Sequence, residues 1–179
     1  MSAGLKTKDI TAIPFSAALM CICSWISIPG PVPFTLQTFA VFLSLGLFGG
    51  RRGCISVLLY IFLGCTGLPV FSGFSGGIGV FLGPTGGYII GFLFSSLSVW
   101  LIFYLFGDKM YIRILAMFLG LAACYVSAIL WLMTFYIKNV SVLSFTIAFT
   151  KYVLPFIFPD ILKIFLSILI TDKLKRYLK

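Results

Sequence analysis

Tyr152-VLPFIFPDILKIFLSILI-Thr171 is an almost unbroken apolar run, interrupted by an acid, Asp160, and a base, Lys163. At about 1.5 Å per residue a helix of this length crosses the roughly 30 Å of hydrocarbon in a bilayer. An ionisable side chain inside such a span costs free energy unless it is paired, and by default it marks a functional site. The i, i+3 spacing puts both heads on one helix face, within reach of each other. Side by side they offer an acceptor and a donor, a pattern suited to a small polar ligand. The competing reading is a structural ion pair that locks helices together. Pro155 and Pro159 bear on the choice: each is expected to remove a helical hydrogen bond and to bend the helix just before Asp160. Broken helices with free backbone groups recur at transporter binding sites.

The rest of the chain shares that preference for lipid. Of its 179 residues, 61% are hydrophobic and only 9% charged, against about 25% charged in soluble domains. The composition predicts a multi-pass protein of the cell membrane, with the lipid bilayer as its solvent. Five cysteines (Cys21, Cys23, Cys54, Cys65 and Cys124) lie in apolar stretches with no histidine in the chain and no CxxC spacing. They read as small buried side chains, and no metal site is expected. An intramembrane enzyme using Asp160 as a base is disfavoured, because neither a histidine nor a second acid in the spans accompanies it. No catalytic residue and no bound cofactor are expected.

Six apolar segments are expected as transmembrane helices, at residues 10–28, 35–49, 53–68, 84–106, 112–136 and 152–171. The predicted fold is all-α, a single integral membrane domain over residues 1–179. Lys6 and Lys8 before the first segment resemble a signal peptide. Pro14 inside the run and the lack of an A-x-A site favour an uncleaved first helix. Gly50-Arg51-Arg52 between the second and third segments predicts a hairpin. With both termini cytoplasmic, Lys6, Lys8, Arg51, Arg52, Lys109, Arg113, Lys173, Lys175, Arg176 and Lys179 lie inside. Lys138 and Lys151 lie outside, a strong positive-inside bias. The positive charge is then the inner rim of a membrane protein, which removes nucleic acid as a partner. Residues 29–35, 67–83 and 138–150 become the outer segments, and Asp160 falls in the outer half of the membrane. That polarity points to uptake.

Ten of the 18 glycines fall between Gly64 and Gly91. Such density permits positive φ and close backbone approach, and irregular backbone is tolerated near membrane depth where it lines a cavity. A lid or partly re-entrant loop is expected, leading into the fourth helix at Pro84-Thr85; a plain flexible loop is the alternative. No G-K-[ST] follows the glycines, so the chain carries no phosphate loop of its own. Phe34, Thr35, Gln37, Phe74, Ser75, Thr85 and Tyr88 flank these segments at the level of Asp160 and Lys163. Each is a candidate ligand contact or an interfacial anchor. On the first helix, Ala12 with Ser16 and Ala17 with Cys21 repeat a small-xxx-small spacing that lets another helix approach; ordinary packing inside the chain is the alternative.

The strings Pro33-FTLQTFAV-Phe42, Gly50-RR-Gly53 followed by Ser56-VLL-Tyr60, Gly67-LPV-Phe71, Gly83-PTGG-Tyr88 and Pro159-DIL-Lys163 resemble the BioY family over nearly the whole chain. BioY proteins are the substrate-binding S components of energy-coupling factor (ECF) transporters for biotin. The resemblance implies a six-helix S-component fold with an outward-facing biotin pocket capped by loops. It implies that Asp160 and Lys163 hold the ureido head, the carboxylate accepting from N–H and the ammonium donating to the carbonyl. It also implies that Gly83, Thr85 and Tyr88 shape the wall, with Gln37, Phe74 and Ser75 as further contacts. Ala12 and Ser16 resemble the face on which S components dock to a transmembrane T subunit, linked to two ATPase subunits. A stand-alone biotin facilitator or an ion-coupled vitamin carrier of the same fold is the alternative function, and a purely structural membrane subunit the blandest. The carboxylate of biotin has no obvious arginine in the outer segments.

Overall fold

The computed structural model describes residues 7–30, 32–139 and 145–177. Lys6 and Lys179 lie outside the described residues, as do Pro31, part of the expected outer segment 138–150 and the side chains of Lys8 and Lys138. Eight α-helices are described: α1 (Thr7–Trp25), α2 (Gln37–Phe48), α3 (Gly50–Cys65), α4 (Ile78–Leu82), α5 (Gly86–Phe106), α6 (Met110–Asn139), α7 (Phe145–Tyr152) and α8 (Leu154–Tyr177). Each of the six expected segments holds a helix, and α4 and α7 are short additions. By length and composition, α5, α8 and residues 110–135 of α6 are long and apolar enough to cross a membrane. α2, at 12 residues, is only about 18 Å long.

Three departures from expectation have local causes. The corner between α2 and α3 needs only Gly49, whose φ of 86° is open to glycine at little cost. Gly50, Arg51 and Arg52 therefore belong to α3 instead of forming a turn. Gly50 has a second reason to be glycine: a Cβ there would stand 2.5 Å from the Trp100 Cα of α5. The segment after α1 is a small antiparallel ladder, β1 (Ser27–Ile28) on β2 (Phe34–Thr35), with Ser27 opposite Thr35 and Ile28 opposite Phe34. The all-α expectation thus acquires one two-stranded hairpin. Finally, α8 runs continuously through Pro159. Pro155 lies in the first turn, where an amide has no intrahelical acceptor to lose, so only Pro159 removes a bond.

The glycine-rich stretch is folded against the bundle. Gly67 (φ 96°), Gly73 (φ 67°) and Gly77 (φ 92°) make the turns. The Phe71 amide donates to the Ser75 carbonyl at 2.9 Å and the Gly77 amide to the Gly64 carbonyl at 2.7 Å. Val70 and Phe71 are buried. Other glycines serve packing. A Cβ on Gly91 would stand 2.9 Å from the Cys124 carbonyl, and one on Gly120 2.9 Å from Ser95 Oγ. α5 and α6 therefore pack closely along a seam of small residues, as lipid-embedded helices do.

One core cluster draws Met20, Phe42, Val57, Val99, Met117 and Ile164 from α1, α2, α3, α5, α6 and α8. All four aspartates are in ion pairs. Asp9 pairs with Arg52, tying α1 to α3. At the other end of α8, the buried Arg113 holds Asp108 at 2.8 Å and also Asp172, while Lys175 pairs with Asp108. These charges fasten the α5–α6 turn to the end of α8.

Candidate functional site

Asp160 and Lys163 are only 4% and 6% exposed. Both lie on the inward face of α8, where the i, i+3 spacing brings Lys163 Nζ to 2.7 Å from Asp160 Oδ1. Neither is satisfied by the other alone. Tyr125, from the middle of α6, donates its hydroxyl to Asp160 Oδ2 at 2.7 Å. Lys163 donates to the Thr35 carbonyl of β2 at 2.7 Å, and its ammonium sits 4.0 Å from the Phe34 ring centroid, close enough for a cation–π contact. A buried charge pair is tolerated when further hydrogen bonds complete both partners. Here those bonds come from α6 and the β hairpin, so the pair also registers two other parts of the chain against α8.

Beside the pair opens a cavity lined by residues of α2, α5, α6, α8 and the loops before α2 and after α3, the usual form of a small-molecule site being an apolar hollow with a few polar groups. Val32, Ile89, Phe92, Leu121 and Phe156 give it apolar wall, and Gln37, Thr38, Ser72, Thr85, Tyr88 and Tyr125 bring polar groups. The wall is braced by rings: Phe34 stacks on Phe156 at 6.0 Å, and Phe156 meets Tyr88 at 6.1 Å. Tyr88 in turn donates its hydroxyl to the Tyr152 carbonyl, fastening α5 to the α7–α8 junction. Such an enclosure can receive a ligand with a polar head at the Asp160–Lys163 end and an apolar body.

Of the expected site residues, Asp160, Lys163, Tyr88, Thr85 and Gln37 line this cavity. Gly83, Phe74 and Ser75 stand outside the lining. Gly83 offers its carbonyl to Trp131 Nε1 at 2.9 Å, which steadies the entry to α5. Phe74 is 63% exposed and stacks on Trp25 at 5.1 Å. Ser75 turns its hydroxyl to the Ser72 carbonyl at 2.8 Å. The tight turn through Gly73 and Phe74 points its tip away and leaves Ser72 at the cavity. Ala12 and Ser16 are buried in the chain itself, as are Ala17 and Cys21. The small-residue face of α1 is turned inward onto its own bundle, and Phe15, Ile22 and Trp25 are exposed on the other side.

The sequence reading missed Tyr125, Thr38, Ser72 and Phe156. Tyr125 had a usable signal: a hydroxyl inside an otherwise apolar helix must find a partner, and the chain has few intramembrane acceptors. Nothing local marks the others.

The sequence matches the BioY family over residues 1–179. A protein of Pyrococcus horikoshii named "Probable biotin transporter BioY" is 38% identical over 172 residues, 96% of this chain and 98% of that protein. One of Thermotoga maritima named "Biotin transporter BioY" is 37% identical over 160 residues, 89% of this chain and 90% of the other. Among solved structures, the S-component for biotin from an ECF-type ABC transporter aligns with a TM-score of 0.85 at 28% identity. That alignment covers 98% of this chain and 95% of the other.

Proposed function

This chain belongs to the BioY family, and from that premise we propose that it captures biotin at the outer face of the cell membrane and delivers it inward. Its energy comes from ATP hydrolysed by two ATPase subunits, transmitted through a transmembrane T subunit. The chain spans the bilayer six times with both termini cytoplasmic, and it binds biotin as cargo, with no covalent step and no cofactor of its own.

The observation that carries this reading is the completed polar cluster at the end of the cavity. A cyclic urea presents one carbonyl acceptor and two N–H donors. Lys163 has a donor for the carbonyl, and the Asp160 carboxylate has acceptor sites beyond the two bonds it makes to Lys163 and Tyr125. Charge-assisted bonds of this kind are the stronger ones. The fused ring and aliphatic tail of biotin suit the wall of Phe92, Leu121 and Phe156. Ser72 and Thr85 are proposed for the carboxylate end, where no arginine lines the cavity. The exposed side of α1, carrying Phe15 and Ile22, is proposed to face lipid or the T subunit, since Ala12 and Ser16 are covered.

Radiolabelled biotin binding to detergent-purified protein, competed with desthiobiotin, riboflavin and thiamine, tests the reading. Saturable binding displaced by desthiobiotin and by neither other vitamin is expected; no saturable biotin binding would sink it. Uptake by the chain alone in a host lacking all energy-coupling subunits, insensitive to ATP depletion, would make it a stand-alone facilitator or ion-coupled carrier instead.

A further inference from the structure

Tyr60 stands in the middle of α3, fully buried, with its hydroxyl between two distant parts of the chain. Gln37 Nε2 donates to it at 2.8 Å, and it donates to the Val70 carbonyl at 3.0 Å. With the phenolic proton on the Val70 carbonyl, the phenolic oxygen is left as an acceptor, and the end of the Gln37 carboxamide that can serve it is Nε2. A flipped amide would then set two acceptors face to face in the core. The carboxamide is therefore held in one of its two orientations, with Oε1 turned away from Tyr60.

Gln37 lines the cavity, and among the described residues its Oε1 makes no hydrogen bond. Its position along the cavity follows from Thr35. The Gln37 amide donates to Thr35 Oγ1 at 3.2 Å, and Lys163 donates to the carbonyl of the same residue. The start of α2 at Gln37 thus lies beside the residue whose carbonyl accepts from Lys163. The other end of the relay is the loop between α3 and α4. Ser24 Oγ of α1 reaches the same Val70 carbonyl at 2.6 Å, and the neighbouring Phe71 ring packs edge-on to Tyr60 at 5.5 Å.

We infer that Tyr60 is a positioning residue for ligand recognition. Anchored on the Val70 carbonyl, it locks the Gln37 carboxamide so that Oε1 accepts a ureido N–H beside Asp160, and it offers that acceptor only while the loop at residues 66–77 is seated. The inference rests on the biotin reading above. It supplies an acceptor for the second N–H of the urea without asking more of Asp160, whose two oxygens each already take a bond.

The test is a mutant cycle read by biotin binding to the purified full chain. Tyr60→Phe keeps the ring and removes the hydroxyl; a five- to tenfold loss of affinity is expected, the scale of one hydrogen bond. Gln37→Leu should lose a similar factor, and the double variant no more than Gln37→Leu alone, because the tyrosine acts through the glutamine. Losses that multiply, or wild-type affinity in Tyr60→Phe, overturn the inference. Tyr60→Phe is also read without ligand: losing the bond to the Val70 carbonyl should let the amides of Phe71 and Gly77 exchange hydrogen faster than in the wild type. Unchanged exchange overturns the relay. Wild-type protein that binds no biotin refutes the functional reading and leaves the exchange measurement to judge the relay.

Discussion

Asp160 and Lys163 show how far two residues can carry a reading. Their cost in an apolar helix is visible in the sequence, because lipid supplies no partners. What their neighbours contribute is not visible: Tyr125 and the Thr35 carbonyl come from 35 and 128 residues away. Asp160→Asn keeps the shape but loses the charge that accepts from both Lys163 and a ligand, and biotin affinity is expected to fall more than about tenfold in scintillation-based binding. Lys163→Ala should also cost stability, since stripping one partner from a buried pair costs about 3–5 kcal/mol; the melting temperature in detergent reads this. Tyr125→Phe removes a single bond to a carboxylate that keeps its cation. Its affinity loss should stay below that of Asp160→Asn, and equal losses would make Tyr125 a direct ligand contact.

At the level of elements, periodicity and length found the six helices, because a lipid-facing helix needs little more than an apolar run. The glycine-rich stretch was harder to read. Glycine density predicted a lid or partly re-entrant loop, yet some of these glycines make turns at positive φ and others close helix contacts, and only coordinates tell the two uses apart. The division is testable. Gly91→Ala places a Cβ 2.9 Å from Cys124, so α5 and α6 must separate and stability should drop by about 1–3 kcal/mol. Gly79→Ala in α4 meets nothing within 4 Å and has no positive φ, so it should be neutral or slightly stabilising, by up to about 1 kcal/mol. Thermal melts of the two variants side by side make the comparison.

For the molecule as a whole, the distribution of lysine and arginine predicts an orientation that can be measured directly. Four of the native cysteines are buried, so background labelling is low. A cysteine replacing the exposed Tyr177 should react with an impermeant maleimide only in inverted vesicles, and one replacing the exposed Phe74 only in intact cells. The reverse pattern would overturn the proposed direction of transport. The sequence by itself determined the solvent, the helices and the face of α8 shared by Asp160 and Lys163. These follow from local hydropathy and from the i, i+3 geometry of a helix. Tertiary structure alone decided which polar groups converge on that face, that the small residues of α1 face inward, and that Ser72 instead of Ser75 borders the cavity. Those outcomes depend on packing between segments far apart in the chain, and a turn of one residue in a loop changes which side chain points in.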